Sequence, residues 1–257
     1  MTDTAGQAGF SLVELAIVLL IMGLVLGGLA MPMAVQRENG RIRDGQEQLQ
    51  AIQAALEGYA LVNGVLPCPA IPGSGGLASA SGGGCSTQHG FVPATTLDLN
   101  GTRNADNLLM DPWGSPVRYS VTASDADSNG QWDFVVPGEM QAVTMPLLAP
   151  DLVVCSTAAG ASSTSCASAN ATLAGQSPAI VYSLGKDWTS FSSSDQLENV
   201  GTSIGGGPSG SSYPVAGNVV FVSRGRSDRA GSEFDDQLAW LSANALYRSL
   251  VGAGRLP

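Results

Sequence analysis

The sequence predicts an α+β fold, in which a long N-terminal helix packs on a small antiparallel β-sheet with long Gly/Ser-rich loops. Three observations favour this class. An apolar run with a single charge extends over residues 10–33. Residues 34–63 then place apolar side chains at helical spacing. Residues 64–257 contain several short β-patterned runs separated by Gly, Pro and Asn.

The first predicted element, residues 10–33, is a transmembrane helix. A helix needs about 20 apolar residues to span a bilayer, and this run is long enough. Glu14 is its only charged residue. A carboxylate is costly inside an apolar span, so its presence indicates a function. Pro32 removes a backbone hydrogen bond near the end of the run and predicts a kink.

The second predicted element, residues 34–63, is an amphipathic helix that continues into the body of the protein. Its apolar residues predict one face that packs on a globular domain. This face comprises Val35, Ile42, Leu49, Ile52, Leu56 and Tyr59. The helix is expected to end at Asn63, because Pro67 and Pro69 cannot continue it.

The third predicted region, residues 64–257, is a β-rich globular domain. A turn at residues 111–116 leads into the first strand, and further strands are expected from β-branched and aromatic patterning. The predicted strands are residues 117–121, 132–136, 152–155, 179–184, 219–222 and 237–241. Stretches rich in Gly, Ser and Ala are predicted loops. These loops are residues 70–90, 156–178 and 201–217.

The C-terminal region has two possible readings. Ser242 is a suitable N-cap for a short helix over residues 243–251 that follows the last strand. The alternative is one helix from Asp235 onward.

The four cysteines of this domain allow disulfide bonds, which in turn indicate the redox environment of the domain. Cys68, Cys85, Cys155 and Cys166 allow three pairings. Local pairing of Cys68 with Cys85 and of Cys155 with Cys166 is favoured, because each pair brackets a loop with little else to hold it. Closing a loop of about 15 residues contributes about 3 kcal/mol. Disulfides indicate an oxidising compartment. Four reduced thiols are the alternative.

Charge and motif content exclude several functions. The 11 basic and 21 acidic residues give a net charge of −10 without a basic patch, which argues against nucleic acid as a partner. His89 is the only histidine. A histidine-dependent catalytic site would need a third group to hold it, and no such arrangement is visible. Hydrolase, phosphate-loop and zinc-protease motifs are also missing, so no enzymatic activity is predicted.

The N-terminus resembles the processing site of type IV pilins and type II secretion pseudopilins. In that family a short polar leader ends in Gly, Phe follows, and Glu is the fifth residue of the mature chain. Here Gly9, Phe10 and Glu14 occupy these positions. Residues 111–114, with the sequence Asp-Pro-Trp-Gly, also resemble the turn that leads into a strand in pseudopilin bodies.

The resemblance implies a pilin-like fold and an assembly function. Residues 1–9 would be a leader, which prepilin peptidase removes after Gly9 before it methylates Phe10. Glu14 would neutralise the terminal amine of a neighbouring subunit, and the helix would melt locally at Pro32 during assembly. The implied partners are other pilin or pseudopilin subunits and an inner-membrane assembly platform.

The resemblance also implies an orientation. Arg37, Arg41 and Arg43 lie just beyond the apolar run. The positive-inside rule alone would place this end in the cytoplasm. The resemblance implies the opposite arrangement: a cytoplasmic N-terminus, one pass through the inner membrane, and a periplasmic domain that later joins a filament.

The length of the chain and its long loops suggest a role other than that of a major filament subunit. Major subunits of this family tend to be shorter, so the chain is expected to be a minor subunit. An adhesin or ligand-binding module at the pilus tip is the alternative, in which the disulfide-tied loops recognise a ligand. Trp188 and Phe191 are the aromatic residues that favour this alternative, provided they are exposed on a loop.

One loop has a pattern typical of calcium binding. Asp125, Asp127, Asn129 and Asp133 place oxygen donors at positions 1, 3, 5 and 9 of an EF-hand-like loop with Gly130 at position 6. Val136 stands where an EF-hand has its bidentate Glu. Calcium, which the resemblance also allows, is one interpretation, and a polar hairpin turn is the other.

Overall fold

The computed structural model describes residues 11–200 and 217–256, except for the side chains of residues 26–33. Gly9 and Phe10 therefore lie outside the described residues, as does the side chain of Pro32. The chain divides into two compact units, residues 1–43 and residues 44–257.

Helix α1 (Leu12–Asn63) has 52 residues and contains both predicted helical segments. It ends where predicted. The backbone N–H of Gly64 donates to the carbonyl of Ala60, and Gly64 has a positive φ of 74°. Glycine at this position is a common helix stop, because it adopts the left-handed conformation without strain.

Four helices and nine strands are defined among the described residues. The remaining helices are α2 (Glu139–Val143), α3 (Ser194–Val200) and α4 (Ala243–Gly252). The strands are β1 (Ala80–Ser81), β2 (Gly84–Cys85), β3 (His89–Phe91), β4 (Arg118–Val121), β5 (Leu152–Cys155), β6 (Thr172–Ser177), β7 (Ala179–Ser183), β8 (Val220–Val222) and β9 (Gln237–Trp240).

The principal sheet is antiparallel and has the strand order β3-β4-β7-β9. Its central register places Tyr119 opposite Val181, and Val181 opposite Ala239. Every residue of β4 and β7 is buried. Because side chains alternate between the faces of a sheet, both faces of these strands must be covered.

One face of the principal sheet packs against α1. Leu49, Ile52 and Leu56 are at most 3% exposed and form a cluster with Tyr119 and Val181. Of the predicted apolar face of the helix, Leu49, Ile52 and Leu56 therefore contribute to the core of the body, whereas Val35 is 60% exposed. Helix α4 adds further buried leucines to this core. Burying a leucine or isoleucine side chain contributes about 1.5–3 kcal/mol.

The opposite face packs against a second sheet, with the order β6-β5-β8. Ile180 and Tyr182, from β7, form a cluster with Leu152, Val154 and Phe221. Strands β5 and β8 are parallel, whereas β5 and β6 are antiparallel. The second sheet consists of chain that lies between β4 and β7 and between β7 and β9, so two insertions into the principal sheet build it together.

The turn before β4 depends on the side chain of Asp111. Its Oδ1 accepts hydrogen bonds from the backbone N–H groups of Trp113 (2.9 Å) and Ser115 (2.8 Å), and Gly114 has φ +85°. The other carboxylate oxygen accepts a hydrogen bond from the Ser183 hydroxyl in β7. Burial is the main effect on the pKa of Asp111 and raises it. The residue links the turn to the centre of the sheet.

Both disulfides follow the locally paired arrangement. Cys68 is bonded to Cys85, and Cys155 to Cys166, across sequence separations of 17 and 11 residues. The first joins the segment after α1 to β2, and the second closes the loop after β5. Hydrogen bonds to distant residues also hold both loops, for example from the Trp132 N–H to the Gly83 carbonyl and from the Ala158 N–H to Asp195 Oδ1.

The strand predicted at residues 132–136 is wrong. This segment forms turns, and the carbonyl of Trp132 accepts hydrogen bonds from the N–H groups of both Val135 and Val136. Backbone hydrogen bonds in this segment are thus formed locally. The fully buried side chain of Phe134 packs the turn into the core. The β-propensity of these residues reflects their burial and not their pairing.

Two predicted loops also contain regular structure. Residues 70–90 include β1 and β2 and begin β3, and residues 156–178 include β6. Their Gly, Ser and Ala content predicted loops, because the strand pairing in these segments depends on partners that composition does not reveal. At the C-terminus, β9 and α4 are separate elements, so the single helix from Asp235 is not formed.

The packing of α1 generates a stability prediction. Leu56→Ala is expected to lower the free energy of unfolding by about 2–5 kcal/mol, because Leu56 is 1% exposed and its loss leaves a cavity in the core. Val62→Ala, on the same helix, is the matched control, since Val62 is 68% exposed and should change stability by less than about 0.5 kcal/mol. Denaturant unfolding of both variants measures the difference, and equal losses would contradict this account of the core.

Candidate functional site

The residues around Glu14 form the N-terminal cap of α1. The backbone N–H of Glu14 donates to Ser11 Oγ at 3.3 Å, and the backbone N–H of Ser11 donates to Glu14 Oε2 at 3.0 Å. This reciprocal arrangement is a capping box, which satisfies two N–H groups that lack helical partners. Both side chains are exposed. The carboxylate of Glu14 is thus held at the first turn of the helix and is accessible to a partner.

Large apolar side chains cover the described N-terminal part of α1. They are 47–85% exposed: Leu12, Val13, Leu15, Ile17, Val18, Leu19, Leu20, Ile21, Met22, Leu24 and Val25. A contiguous apolar surface of this kind indicates contact with lipid or with another protein. None of the helices, as far as their residues are described, combines the length and hydropathy that a membrane crossing requires.

The predicted calcium loop is folded as a compact polar turn. One carboxylate oxygen from each of Asp125, Asp127 and Asp133 lies within 4.8 Å of the others. These side chains also accept hydrogen bonds within the loop. Asp125 Oδ1 accepts one from the N–H of Asn129 (3.0 Å), and Asp133 Oδ2 accepts one from Ser124 Oγ (2.7 Å).

Asn129 has a different role from the one its position in the loop predicts. Its Nδ2 donates to Glu139 Oε2 at 2.8 Å and to Asp127 Oδ2 at 3.1 Å. Its Oδ1 accepts a hydrogen bond from the N–H of Gln131 (2.7 Å). These contacts are those of an Asx-stabilised turn. Calcium binding at Asp125, Asp127, Asn129 and Asp133 stays a prediction.

A second carboxylate cluster lies deeper in the body. One oxygen from each of Asp187, Asp235 and Asp236 lies within 4.8 Å of the others, and Asp235 and Asp236 are only 8% and 7% exposed. Asp187 follows β7, whereas the other two residues precede β9. Strand pairing brings them together, because Ser183 lies opposite Gln237.

Amide groups hold this second cluster in place. Gln196 Nε2 donates to both oxygens of Asp187, at 2.9 and 2.8 Å. The backbone N–H of Lys186 donates to Asp235 Oδ2 at 2.8 Å, and Asn199 Nδ2 donates to Asp236 Oδ2 at 2.6 Å. Gly185 is essential to this packing. It has φ +69°, and a Cβ atom there would lie 2.5 Å from the carboxyl carbon of Asp235.

The electrostatics of the cluster favour protonation or a bound cation. Burial, together with the adjacent Asp187, raises the pKa of Asp235 to about 7. Burial also raises the pKa of Asp236 well above its usual range, although Asn199 and the buried Arg118 oppose this effect. Asp236 Oδ1 is buried without a hydrogen-bond partner among the described residues. Carboxylate and carbonyl oxygens are the ligands that Ca²⁺ prefers, so this cluster is the stronger candidate metal centre.

Sequence reasoning did not connect Asp235 and Asp236 with Asp187. The available signal was a pair of adjacent carboxylates directly before a strand. Asp187 and Asp235 are 48 positions apart in the sequence, and their contact depends on the pairing of β7 with β9.

The aromatic pair considered for ligand recognition is not freely exposed. Trp188 and Phe191 are partly buried and pack against the cluster formed by the two sheets. Their apolar surface therefore contributes to the core, and the adhesin alternative gains no support from them.

Comparison with known proteins identifies the N-terminal segment. Residues 4–30 match the family described as the prokaryotic N-terminal methylation motif. Two relatives are type II secretion system core proteins G. The protein from Pseudomonas aeruginosa is 28% identical over 122 residues, which cover 44% of this chain and 72% of the relative. The protein from Xanthomonas campestris pv. campestris is 28% identical over 117 residues, which cover 46% and 71%. No solved structure matches the chain.

These findings agree with the resemblance that the sequence indicated. The chain carries a prepilin-type N-terminal methylation motif, and its α+β body, with a long helix packed on an antiparallel sheet, is consistent with a pilin-like fold. By name, both relatives are core proteins of type II secretion systems.

The buried carboxylates generate a prediction about pH and calcium. The pKa of Asp235 is about 7 in the folded protein and near 4 in the unfolded chain. The protonated carboxyl therefore stabilises the folded protein below about pH 4, and this stabilisation is lost as the pH rises from about 4 to about 7. In the presence of a chelator, Asp235→Asn is therefore expected to raise the free energy of unfolding at pH 7, because the variant has no carboxylate to ionise at this buried position. Added calcium should raise the melting temperature of the wild type and have a smaller effect on the variant.

Two matched variants control this experiment. Asp106→Asn removes an exposed carboxylate and should leave both the pH profile and the calcium response unchanged. Asp127→Asn tests the hairpin loop separately. Thermal unfolding between pH 4 and pH 8, with and without calcium, provides the measurement. If Asp235→Asn retained the wild-type pH profile and calcium response, the cluster would neither cause the pH dependence of stability nor bind calcium.

Proposed function

We propose that this protein is a minor pseudopilin or minor pilin: a structural subunit that prepilin peptidase cleaves after Gly9 and that then assembles into a filament. Glu14 carries this proposal. It is the single charged residue in an apolar run, and it would become the fifth residue of the processed chain. The exposed carboxylate at the head of an exposed apolar helix is suited to pairing with another subunit.

The charge of Glu14 would favour assembly and would fix the axial offset between neighbouring subunits. Processing creates a new amine at Phe10, and both the amine and the carboxylate would be costly alone among apolar side chains. Pairing the amine of one subunit with the Glu14 of its neighbour removes that cost and fixes the axial offset between them. Apolar contacts contribute less to the net free energy, because neighbouring helices replace lipid that is equally apolar.

The implied location follows from the same segment. Residues 10–33 would anchor the unassembled subunit in the inner membrane, with residues 64–257 in the periplasm. Disulfides Cys68–Cys85 and Cys155–Cys166 fit an oxidising compartment such as the periplasm. Other pseudopilins and a membrane assembly platform would be its partners. The core proteins G among its relatives favour a type II secretion system.

The minor role is supported by the size of the body. More than half of this chain lies outside the part matched by either relative, whereas about 70% of each relative is matched. The second sheet adds a layer to the body beyond the principal sheet. A subunit with a large additional layer is better suited to a filament end than to every position of a packed helical array.

The function is tested by the side chain of Glu14. Glu14→Ala should still be cleaved and found in the membrane fraction, but its amount in sheared filaments should fall at least about tenfold. A tenfold change corresponds to only about 1.4 kcal/mol, which is less than a buried ion pair usually loses when one partner is removed. Glu47→Ala, an exposed acidic residue farther along the same helix, is the matched control and should assemble normally. Normal incorporation of Glu14→Ala would contradict the proposed role.

A further inference from the structure

Three arginines follow the apolar part of α1 within seven residues. Arg37, Arg41 and Arg43 are all exposed on one continuous helix. Glu38 is the only acidic residue among residues 34–43, so this short segment has an excess of positive charge. The complete chain, in contrast, has a net charge of −10. This local reversal of charge makes the segment distinct from the rest of the molecule.

These arginines have no ion-pair partner among the described residues, unlike several cations of the body. Lys186 and Arg226 pair with Asp228, and Arg224 pairs with Asp195. Arg37 and Arg41 are also four residues apart, so they lie on the same helical face, where like charges repel. An external anion would relieve this repulsion.

The position of the segment specifies where such an anion would be found. At 1.5 Å per residue, Arg37 lies about 6 Å beyond Met33 along the helix axis, and Arg41 lies about 12 Å beyond it. If the apolar run ends at the edge of the hydrocarbon layer, these side chains lie at the depth of the lipid headgroups. Arginine also has a long apolar stem that can lie along the helix while its guanidinium contacts the headgroup layer.

We propose that Arg37, Arg41 and Arg43 bind anionic phospholipid headgroups on the periplasmic surface of the inner membrane and hold the unassembled subunit close to that surface. This inference rests on the proposed membrane anchor. It also explains why positive charge is tolerated on the side that the positive-inside rule disfavours. Guanidinium groups form bidentate hydrogen bonds with phosphate, which suits them to this partner.

The binding has a consequence for assembly. A subunit that leaves the bilayer must release these headgroups, so the arginine contacts would oppose extraction until the charge pair at Glu14 forms. Each arginine near an anionic surface contributes about 1 kcal/mol, which corresponds to a factor of about five in the equilibrium. This attraction should weaken with added salt, because exposed charges are screened.

The test uses the processed, full-length protein in lipid vesicles. All four cysteines are disulfide-bonded, so Asn39→Cys introduces a single thiol for a fluorescent label between the arginines. Quenching by acrylamide, which is uncharged, is compared in vesicles of phosphatidylcholine alone and of phosphatidylcholine mixed with phosphatidylglycerol. We expect less quenching in the anionic vesicles, and we expect high salt to remove the difference.

Matched variants and a separate anchoring assay complete the design. Arg37→Gln combined with Arg41→Gln should shift the equilibrium toward the quenched state by roughly 25-fold. Arg229→Gln combined with Arg248→Gln changes the charge equally at exposed body positions and should have no effect. Resistance to carbonate extraction measures the anchor independently. Extraction from both kinds of vesicle would contradict the anchor itself.

Two further outcomes would overturn the inference while leaving the anchor intact. The first is retention of the protein with equal quenching in neutral and anionic vesicles. The second is protection of the label that depends on protein density and not on lipid charge, which would indicate that the arginines pair with acidic groups of neighbouring subunits.

Discussion

The structure depends on how the apolar surface of one long helix is covered. Near its C-terminal end, Leu49, Ile52 and Leu56 are almost completely buried against the principal sheet, and they organise the core of the body. Near its N-terminal end, the side chains from Leu12 to Val25 are largely exposed. The first contact stabilises the body. The second surface has no cover among the described residues, and an apolar surface of this kind indicates contact with lipid or with another protein.

The body itself is organised in three layers around the principal sheet. Because α1 covers one face and the second sheet covers the other, the central strands β4 and β7 are buried on both faces. Two short disulfides and the Asp111 side chain hold the connecting segments. The carboxylates of Asp187, Asp235 and Asp236 come together at the end of the β7–β9 pair, and the last two are buried. Burial there raises the pKa of both Asp235 and Asp236.

The parts of this structure that were predictable from sequence have local causes. The periodic face of α1, its end before Gly64, the turn at Asp111 and most strands follow from spacing, propensity and turn chemistry. The failures have non-local causes. Residues 132–136 have the composition of a strand but bury Phe134 from a turn, and β6 consists of small residues whose pairing depends on β5. The carboxylate cluster required knowledge of a strand register that connects residues 48 positions apart. Nothing in the composition of the segments that form the second sheet indicated that they belong together.

The central claim is that the chain enters the prepilin pathway, and the most direct measurement is its intact mass after purification from its native membrane without reduction. We predict the loss of residues 1–9, a gain of about 14 Da for one methyl group on Phe10, and a deficit of about 4 Da for two disulfides. A protein that retained residues 1–9 and an unmodified N-terminus would contradict the account. It would then be an anchored domain that does not assemble through Glu14.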